Sequence, residues 1–152
     1  MIKLLFTAKR APGSLIIRFF TWSRWSHVAF ICDNGDVIEA VGFHGVRRVP
    51  MATALEKVHR YAIVEFCDGD SANMELKLST QIGKKYDYVG AIGMGLMRNW
   101  QSTGRWVCSE LITWGLEHIG EPLFRSDQMY KISQQNLWEI HPTGASEVVR
   151  VN

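Results

Sequence analysis

Long apolar runs, paired cysteines and blocks of like charge are all scarce in this 152-residue chain, and each shortage removes a class of protein. A bilayer-spanning helix needs roughly 20 apolar residues. Here Lys, Arg, Asp or Glu interrupts every candidate except Tyr88 to Met97, whose ten residues read instead as a buried helix or a glycine-rich connection. The apolar start Met1-Ile2-Lys3-Leu4-Leu5-Phe6 is too short for a secretory signal and runs into Lys9 and Arg10, so a cytoplasmic setting is expected, and a phage-encoded origin would suit the small size equally. Three cysteines, at 32, 67 and 108, make an odd set without paired spacing, which points to reduced thiols rather than a disulfide framework. No zinc-type spacing occurs, and His44, His59, His118 and His141 show no ligand pattern, so neither metal nor cofactor is expected. A formal charge of +2 without a Lys/Arg-rich run argues against a nucleic-acid partner, and Arg47-Arg48 and Lys84-Lys85 read as solvated surface. Repeats, low-complexity tracts and linkers are missing too. The 47% hydrophobic and 21% charged content is that of one globular domain, here spanning 1–152.

What is present centres on Cys108. It lies in Trp106-Val107-Cys108-Ser109-Glu110-Leu111-Ile112-Thr113-Trp114, where an apolar-periodic helix starts just after a glycine-containing loop. Unpaired backbone N–H groups and the positive end of the dipole at a helix start favour thiolate over thiol, which is how a nucleophilic cysteine is made near neutral pH. A base is offered 108 − 27 = 81 positions upstream, in Trp25-Ser26-His27-Val28-Ala29-Phe30-Ile31, where His27 opens an apolar run that reads as a buried strand. Either residue alone has an ordinary structural explanation, since free cysteine is usually a small buried hydrophobe. Their order along the chain, with the motifs between and after them, carries the functional reading.

The run of Trp-Ser-His-Val-Ala, then Asp36-Val37-Ile38-Glu39-Ala40, then Gly83-Lys84-Lys85-Tyr86-Asp87-Tyr88, then Val107-Cys108-Ser109-Glu110-Leu111-Ile112, and finally Ile132-Ser133-Gln134-Gln135-Asn136-Leu137 resembles the circularly permuted NlpC-like branch of papain-like cysteine hydrolases, the YiiX/YaeF-like proteins. Lecithin retinol acyltransferase-like proteins are more distant relatives. The resemblance implies an α+β papain-like fold of the permuted NlpC type, an antiparallel sheet packed against the nucleophile-bearing helix. It further implies Cys108 as nucleophile, His27 as general base and Glu39 as the third member that orients the imidazole. Two positions depart from the family pattern, which often has proline where Gln134 stands and Gly-Lys-Pro-Tyr-Asp where this chain has Lys85.

Whether His27 and Glu39 can meet depends on loop length. Cys32-Asp33-Asn34-Gly35-Asp36 is a strong turn signal between two apolar runs. A two-residue Asn34-Gly35 turn would set Glu39 opposite Phe30 and point its carboxylate away from His27, leaving His44 as the substitute. A three-residue loop with Gly35 left-handed at a bulge sets Cys32 opposite Asp36 and Glu39 opposite Ala29, on the face of His27. The three-residue loop is the expectation.

The chemistry implied is acyl transfer through a thioester. Cys108 attacks a carbonyl carbon, and His27 takes the thiol proton and returns it to the leaving group. The Cys108 backbone N–H and the Tyr86 hydroxyl are the candidate oxyanion donors. Small amides, peptides of the peptidoglycan type and amino-acid amides are the substrates expected. A lipid thioesterase or acyltransferase of the same fold is the alternative, as is a binding module without turnover. Six tryptophans are many for this length, and Trp22, Trp25, Trp100 and Trp106 flank the two catalytic segments as candidate cleft walls. The aromatic and basic run Ile16-Ile17-Arg18-Phe19-Phe20-Thr21-Trp22 is a candidate for weak lipid contact.

Pattern and turn signals predict strands over 2–8, 27–41 as a hairpin, 45–50, 59–67 and an edge strand over 146–151. Helices are predicted over 12–21, 53–57 as a single turn, 71–83 with Met74, Leu76, Leu78 and Ile82 as its apolar positions, and 106–119. The last of these carries Leu111, Ile112, Gly115, Leu116 and Ile119 on its buried side and stops at Gly120.

Overall fold

In the computed structural model, residues 1–10, 23–100, 102–142 and 146–150 are described. The predicted helix over 12–21, Trp22 and the lipid-contact run up to it lie outside those residues. Eight strands and five α-helices are described: β1 Ile2–Lys9, β2 His27–Ile31, β3 Asp36–Val41, β4 Gly45–Pro50, α1 Met51–Ala54, β5 Val58–Cys67, α2 Ser71–Ser79, β6 Lys85–Tyr86, α3 Tyr88–Gly95, β7 Arg105–Trp106, α4 Cys108–His118, α5 Gln134–Glu139 and β8 Ser146–Arg150. A 3-10 turn over Ser126–Lys131 precedes α5.

Six strands form one antiparallel sheet in the order β4-β3-β2-β1-β5-β8, and β6 and β7 make a short parallel pair beside it. Side chains alternate across a strand, and β1 divides accordingly. Leu4 and Phe6 enter the larger core, which holds Phe30, Ile38 and Val64 from the sheet and Leu111, Ile112 and Leu116 from α4. Leu5 enters the smaller core with Ala29, Ile31, Val37 and Ala54.

The hairpin of β2 and β3 has the three-residue loop. Phe30 pairs Ile38 and Ile31 pairs Val37, a register that sets Cys32 opposite Asp36 and Glu39 opposite Ala29. Gly35 takes φ 87°, a left-handed conformation that glycine reaches without steric cost, and its N–H donates to the Cys32 carbonyl at 2.9 Å.

Several expectations need correction. Helix α2 ends at Ser79, four residues short of Gly83, and buries Met74 and Leu78 while Leu76 and Ile82 stay exposed. Its terminus is unwound because Gly83 is recruited elsewhere: its N–H donates to Val46 O at 2.9 Å and Val46 N–H donates to Lys84 O at 2.8 Å, which ties β4 to β6. The helical turn near residue 53 begins earlier, at Met51, directly after Pro50. Trp106 belongs to β7, so α4 starts at Cys108 itself. Tyr88–Gly95 is a helix, but not a buried one, for Tyr88, Val89 and Ile92 are about half exposed. Gly120, at φ 85°, follows the end of α4 as the stop signal indicated.

Candidate active site

Cys108 is the first residue of α4, behind Val107 in extended conformation, φ −89° and ψ 152°. Residues at that position have N–H groups without intrahelical partners. Helix α4 packs against β2, which begins at His27, and the Cys108 thiol is hydrogen-bonded to the imidazole of His27 and to the backbone N–H of Val28. The other side of the imidazole is fixed by Glu39, with His27 Nε2 donating to Glu39 Oε2 at 2.8 Å. That contact leaves Nδ1 for the sulfur. Three residues, two on one hairpin and one far along the chain on α4, are therefore brought into a continuous hydrogen-bonded line.

Two further residues complete the line, and neither was singled out for a role from the sequence. Gln134 is buried, and its Nε2 donates to Cys108 Sγ at 2.9 Å. It is the first residue of α5, set there by a reciprocal cap in which Ser133 Oγ accepts from Asn136 N–H and Asn136 Oδ1 accepts from Ser133 N–H. The Ile-Ser-x-x-Asn-Leu signature is thus a helix-start device, and the proline that often fills its third place suits the first position of a helix. Glutamine there brings an amide to the sulfur instead. Ser109 Oγ donates to Ile132 O at 2.7 Å, which pins this loop to α4.

Arg47 is the second. Its Nε and Nη2 both donate to Glu39 Oε1, at 2.9 and 2.7 Å. It sits directly across from Glu39 in the β3–β4 pairing, so hairpin register was the signal that could have found it. The reading of Arg47 as solvated surface is overturned for the same reason, whereas Arg48 is exposed as expected. Arg48 donates to Asp36 and Glu75, tying the hairpin to α2. Lys84 donates to Gln81 Oε1 at 2.6 Å and lies over the Trp106 ring, while Lys85 is exposed as expected.

The electrostatics follow from burial set against these contacts. Burial alone would push the Cys108 thiol up, but the hydrogen bond and charge of His27, the Gln134 amide and the Val28 N–H outweigh it and bring the thiol below its ordinary value. For His27 burial disfavours the cation, yet Cys108 and Glu39 on either side raise it to about 10. Burial opposes ionisation of Glu39 as well, and is overcome by His27 and Arg47, which lower it to about 2. Both shifts favour the thiolate and imidazolium forms of the pair, flanked by a carboxylate. Glu110, whose carboxylate receives the Val107 N–H, is pushed up to about 7 by burial, with the nearby Asp87 charge adding to it.

The other expected site residues divide. Tyr86 is buried close enough to Cys108 for the thiolate charge to act on its hydroxyl, after burial the second cause of that hydroxyl's raised pKa. It lines a surface cavity of about 250 Å³ together with Lys84, Lys85, Tyr88 and Arg105. Trp106 is partly buried and donates to Gln81 Oε1 at 3.2 Å. Trp25 is fully buried against Phe6 and Trp138, so it is core rather than cleft wall. Trp100 is 46% exposed. His44 is exposed and lines the same cavity as Tyr86; Glu39 holds the place for which it was the substitute. Asp87, the acid of the Lys-Lys-Tyr-Asp segment, accepts from Gly90 N–H at 2.8 Å and Ser102 N–H at 2.7 Å, a cap for α3 and an anchor for the loop before β7. All three cysteines are free thiols. Among the described residues no group of three or more His, Cys, Asp or Glu side chains is placed to hold a metal ion. No helix among them is long and apolar enough to cross a membrane.

No protein-family description matches the chain, and no curated protein matches it. Among solved structures, the crystal structure of the metalloprotein yiiX from Escherichia coli O157:H7 is similar, with a TM-score of 0.68 and 20% sequence identity over 99% of this chain and 96% of that one. The chain therefore has a yiiX-like α+β fold over essentially its full length.

Proposed function

We propose that the protein is a cysteine hydrolase of the permuted NlpC-like, papain-like type, with Cys108 as nucleophile, His27 as general acid and base, and Glu39 as the residue that orients the imidazole. The observation that supports this most is the continuous contact from sulfur through imidazole to carboxylate, with His27 Nε2 2.8 Å from Glu39 Oε2 and the thiol drawn toward its anion. A thiol core residue needs no such line.

The Cys108 thiolate attacks the carbonyl carbon of an amide, and the carbonyl oxygen takes up the negative charge. The Cys108 backbone N–H at the start of α4 is one donor for that oxygen. Gln134 Nε2, already 2.9 Å from the sulfur, is the better-placed second donor, with the Tyr86 hydroxyl behind it. Collapse of the adduct expels the amine with the proton from His27 and leaves a thioester on Cys108. Water, deprotonated by the now neutral imidazole, releases the acid and restores the pair. Glu39 fixes the tautomer throughout, as the acid of other triads does, and Arg47 holds Glu39 in place and keeps it ionised. Peptides of the peptidoglycan type and amino-acid amides are the proposed substrates.

The similar yiiX protein is described as a metalloprotein. Cys108 and His27 supply two donors here, and both oxygens of Glu39 are already engaged by His27 and Arg47. The residues at this site do not fit a resident metal.

Iodoacetamide labelling of each cysteine from acidic to alkaline pH, read by peptide mass spectrometry, tests the proposal. Cys108 is expected to label at acidic to neutral pH, and His27→Ala to abolish that selectivity. Labelling of Cys108 no faster than Cys32, whose thiol burial pushes up to about 11, would remove the activated nucleophile and leave a binding role.

A further inference from the structure

We propose that the outer face of α3 and the cationic cavity beside it dock the protein on an anionic lipid membrane. A helix resting on a core is ordinarily apolar inside and polar outside; α3 is apolar on its outer face too. Tyr88, Val89, Ile92 and Leu96 fall on one stripe at 3.6-residue spacing and are 47%, 50%, 56% and 48% exposed. The buried side is made of Gly90, Gly93 and Met94. The helix cannot turn to hide the stripe. Asp87 caps its first turn through Gly90 N–H, and a Cβ on Gly93 would lie 2.8 Å from Arg98 O and 2.9 Å from Trp100 Cβ. Met97 at 76%, Trp100 at 46% and Phe43 at 98% extend the apolar surface, and Phe43 meets the Tyr88 ring edge-on with centroids 6.1 Å apart.

Charge chooses the occupant. From residue 83 to 107 the chain carries Lys84, Lys85, Arg98 and Arg105, and its one acid, Asp87, is fully buried. A second copy meeting this face about a two-fold axis would set the cations against their own counterparts. An apolar stripe rimmed by lysine and arginine, with a tryptophan at its edge, instead matches an interfacial surface over anionic headgroups. The cavity of about 250 Å³ contains Lys84, Lys85 and Arg105, room for a headgroup beside the stripe. Its Tyr88 and Tyr86 rings, 5.1 Å apart, lead from the exposed helix toward Cys108. The docking does not depend on the thiol chemistry.

Vesicle co-sedimentation of the full chain carrying Cys108→Ala separates the two. Binding is expected to vesicles of phosphatidylcholine mixed with an equal amount of phosphatidylglycerol, much less to phosphatidylcholine alone, and to weaken with salt. Each cation removed, as in Lys85→Gln with Arg105→Gln, is expected to weaken binding about fivefold. Ile92→Asp with Leu96→Asp is expected to abolish it while leaving the thermal melt unchanged, and the charge pair carries the test alone if that variant does not fold. Absence of binding to the phosphatidylglycerol vesicles overturns the proposal. So does binding that both variant pairs retain, which would put lipid contact elsewhere in the chain, or concentration-dependent dimerisation lost in Ile92→Asp with Leu96→Asp.

Discussion

A glutamine amide on the sulfur and an arginine on the carboxylate are the two side chains that most change what Cys108 and His27 can do. Removing the amide in Gln134→Ala should raise the thiol toward its ordinary range, reduce iodoacetamide labelling of Cys108 at acidic pH, and slow turnover of an activated amide or ester by about 10²–10³ if the amide also serves the oxyanion. Gln134→Pro is the companion variant: proline suits a first helical position, so the melt should stay near wild type while reactivity falls as in the alanine variant. Arg47→Met leaves Glu39, 2% exposed, with His27 as its remaining hydrogen-bond partner. Stability should drop by roughly 1–3 kcal/mol in chemical denaturation, since the arginine itself is partly solvated. The acidic limb of the pH–rate profile should move to higher pH as the carboxylate becomes easier to protonate. At this scale the sequence was legible where chemistry is intrinsic to residue type, as with a thiol at a helix start and an imidazole at a strand start. It was not legible for Gln134 and Arg47, whose groups are inert until a cap and a strand register aim them.

The elements owe their placement to a few backbone approaches that side-chain patterns do not announce. Gly45 opens β4 at φ 71°, and a Cβ there would fall 2.2 Å from Lys84 O, inside the contact that joins β4 to β6. Gly35 has a similar conformation, φ 87°, with nothing within 4 Å. Gly35→Ala should therefore cost only the conformational strain of about 1–2 kcal/mol, and Gly45→Ala distinctly more, which paired thermal melts will show. The hairpin could be read because turn chemistry and loop length fix its register. Helix α3 could be read as an apolar segment of helical length, but its orientation could not, because the two glycines on one side, Gly90 and Gly93, look like weakness in a sequence and become part of the packed face in the fold. The end of α2 was misjudged on the same ground: Gly83 serves β4 rather than continuing the helix.

Across the whole molecule, two buried acids pull the pH dependence of stability in opposite directions. Glu39, lowered from 4.5 to about 2, contributes stability that is present above pH 4.5 and is lost as pH falls through about 2. Glu110, raised from 4.5 to about 7, contributes stability that is full below 4.5 and lost as pH rises through about 7. Wild-type stability should decline between those values by up to roughly 3 kcal/mol, given that each unit is worth 1.36. In Glu110→Gln, denaturation midpoints over the same range should be nearly flat. An antiparallel sheet packed against the helix of Cys108 was implied by the resemblance that the ordered motifs carry; the apolar outer face of α3 was not, because exposure is a property of the assembled surface. The spacing of the reactive groups also has a bearing on synthesis. His27 and Glu39 are joined by one short hairpin and emerge from the ribosome together, whereas Cys108 and then Gln134 follow much later. If Cys108 is the activated thiol proposed, a nascent or partly unfolded chain would carry three ordinary, slow thiols and gain a fast one only when the last helix docks, so that the protein would hold within itself a chemical clock for the completion of its own folding.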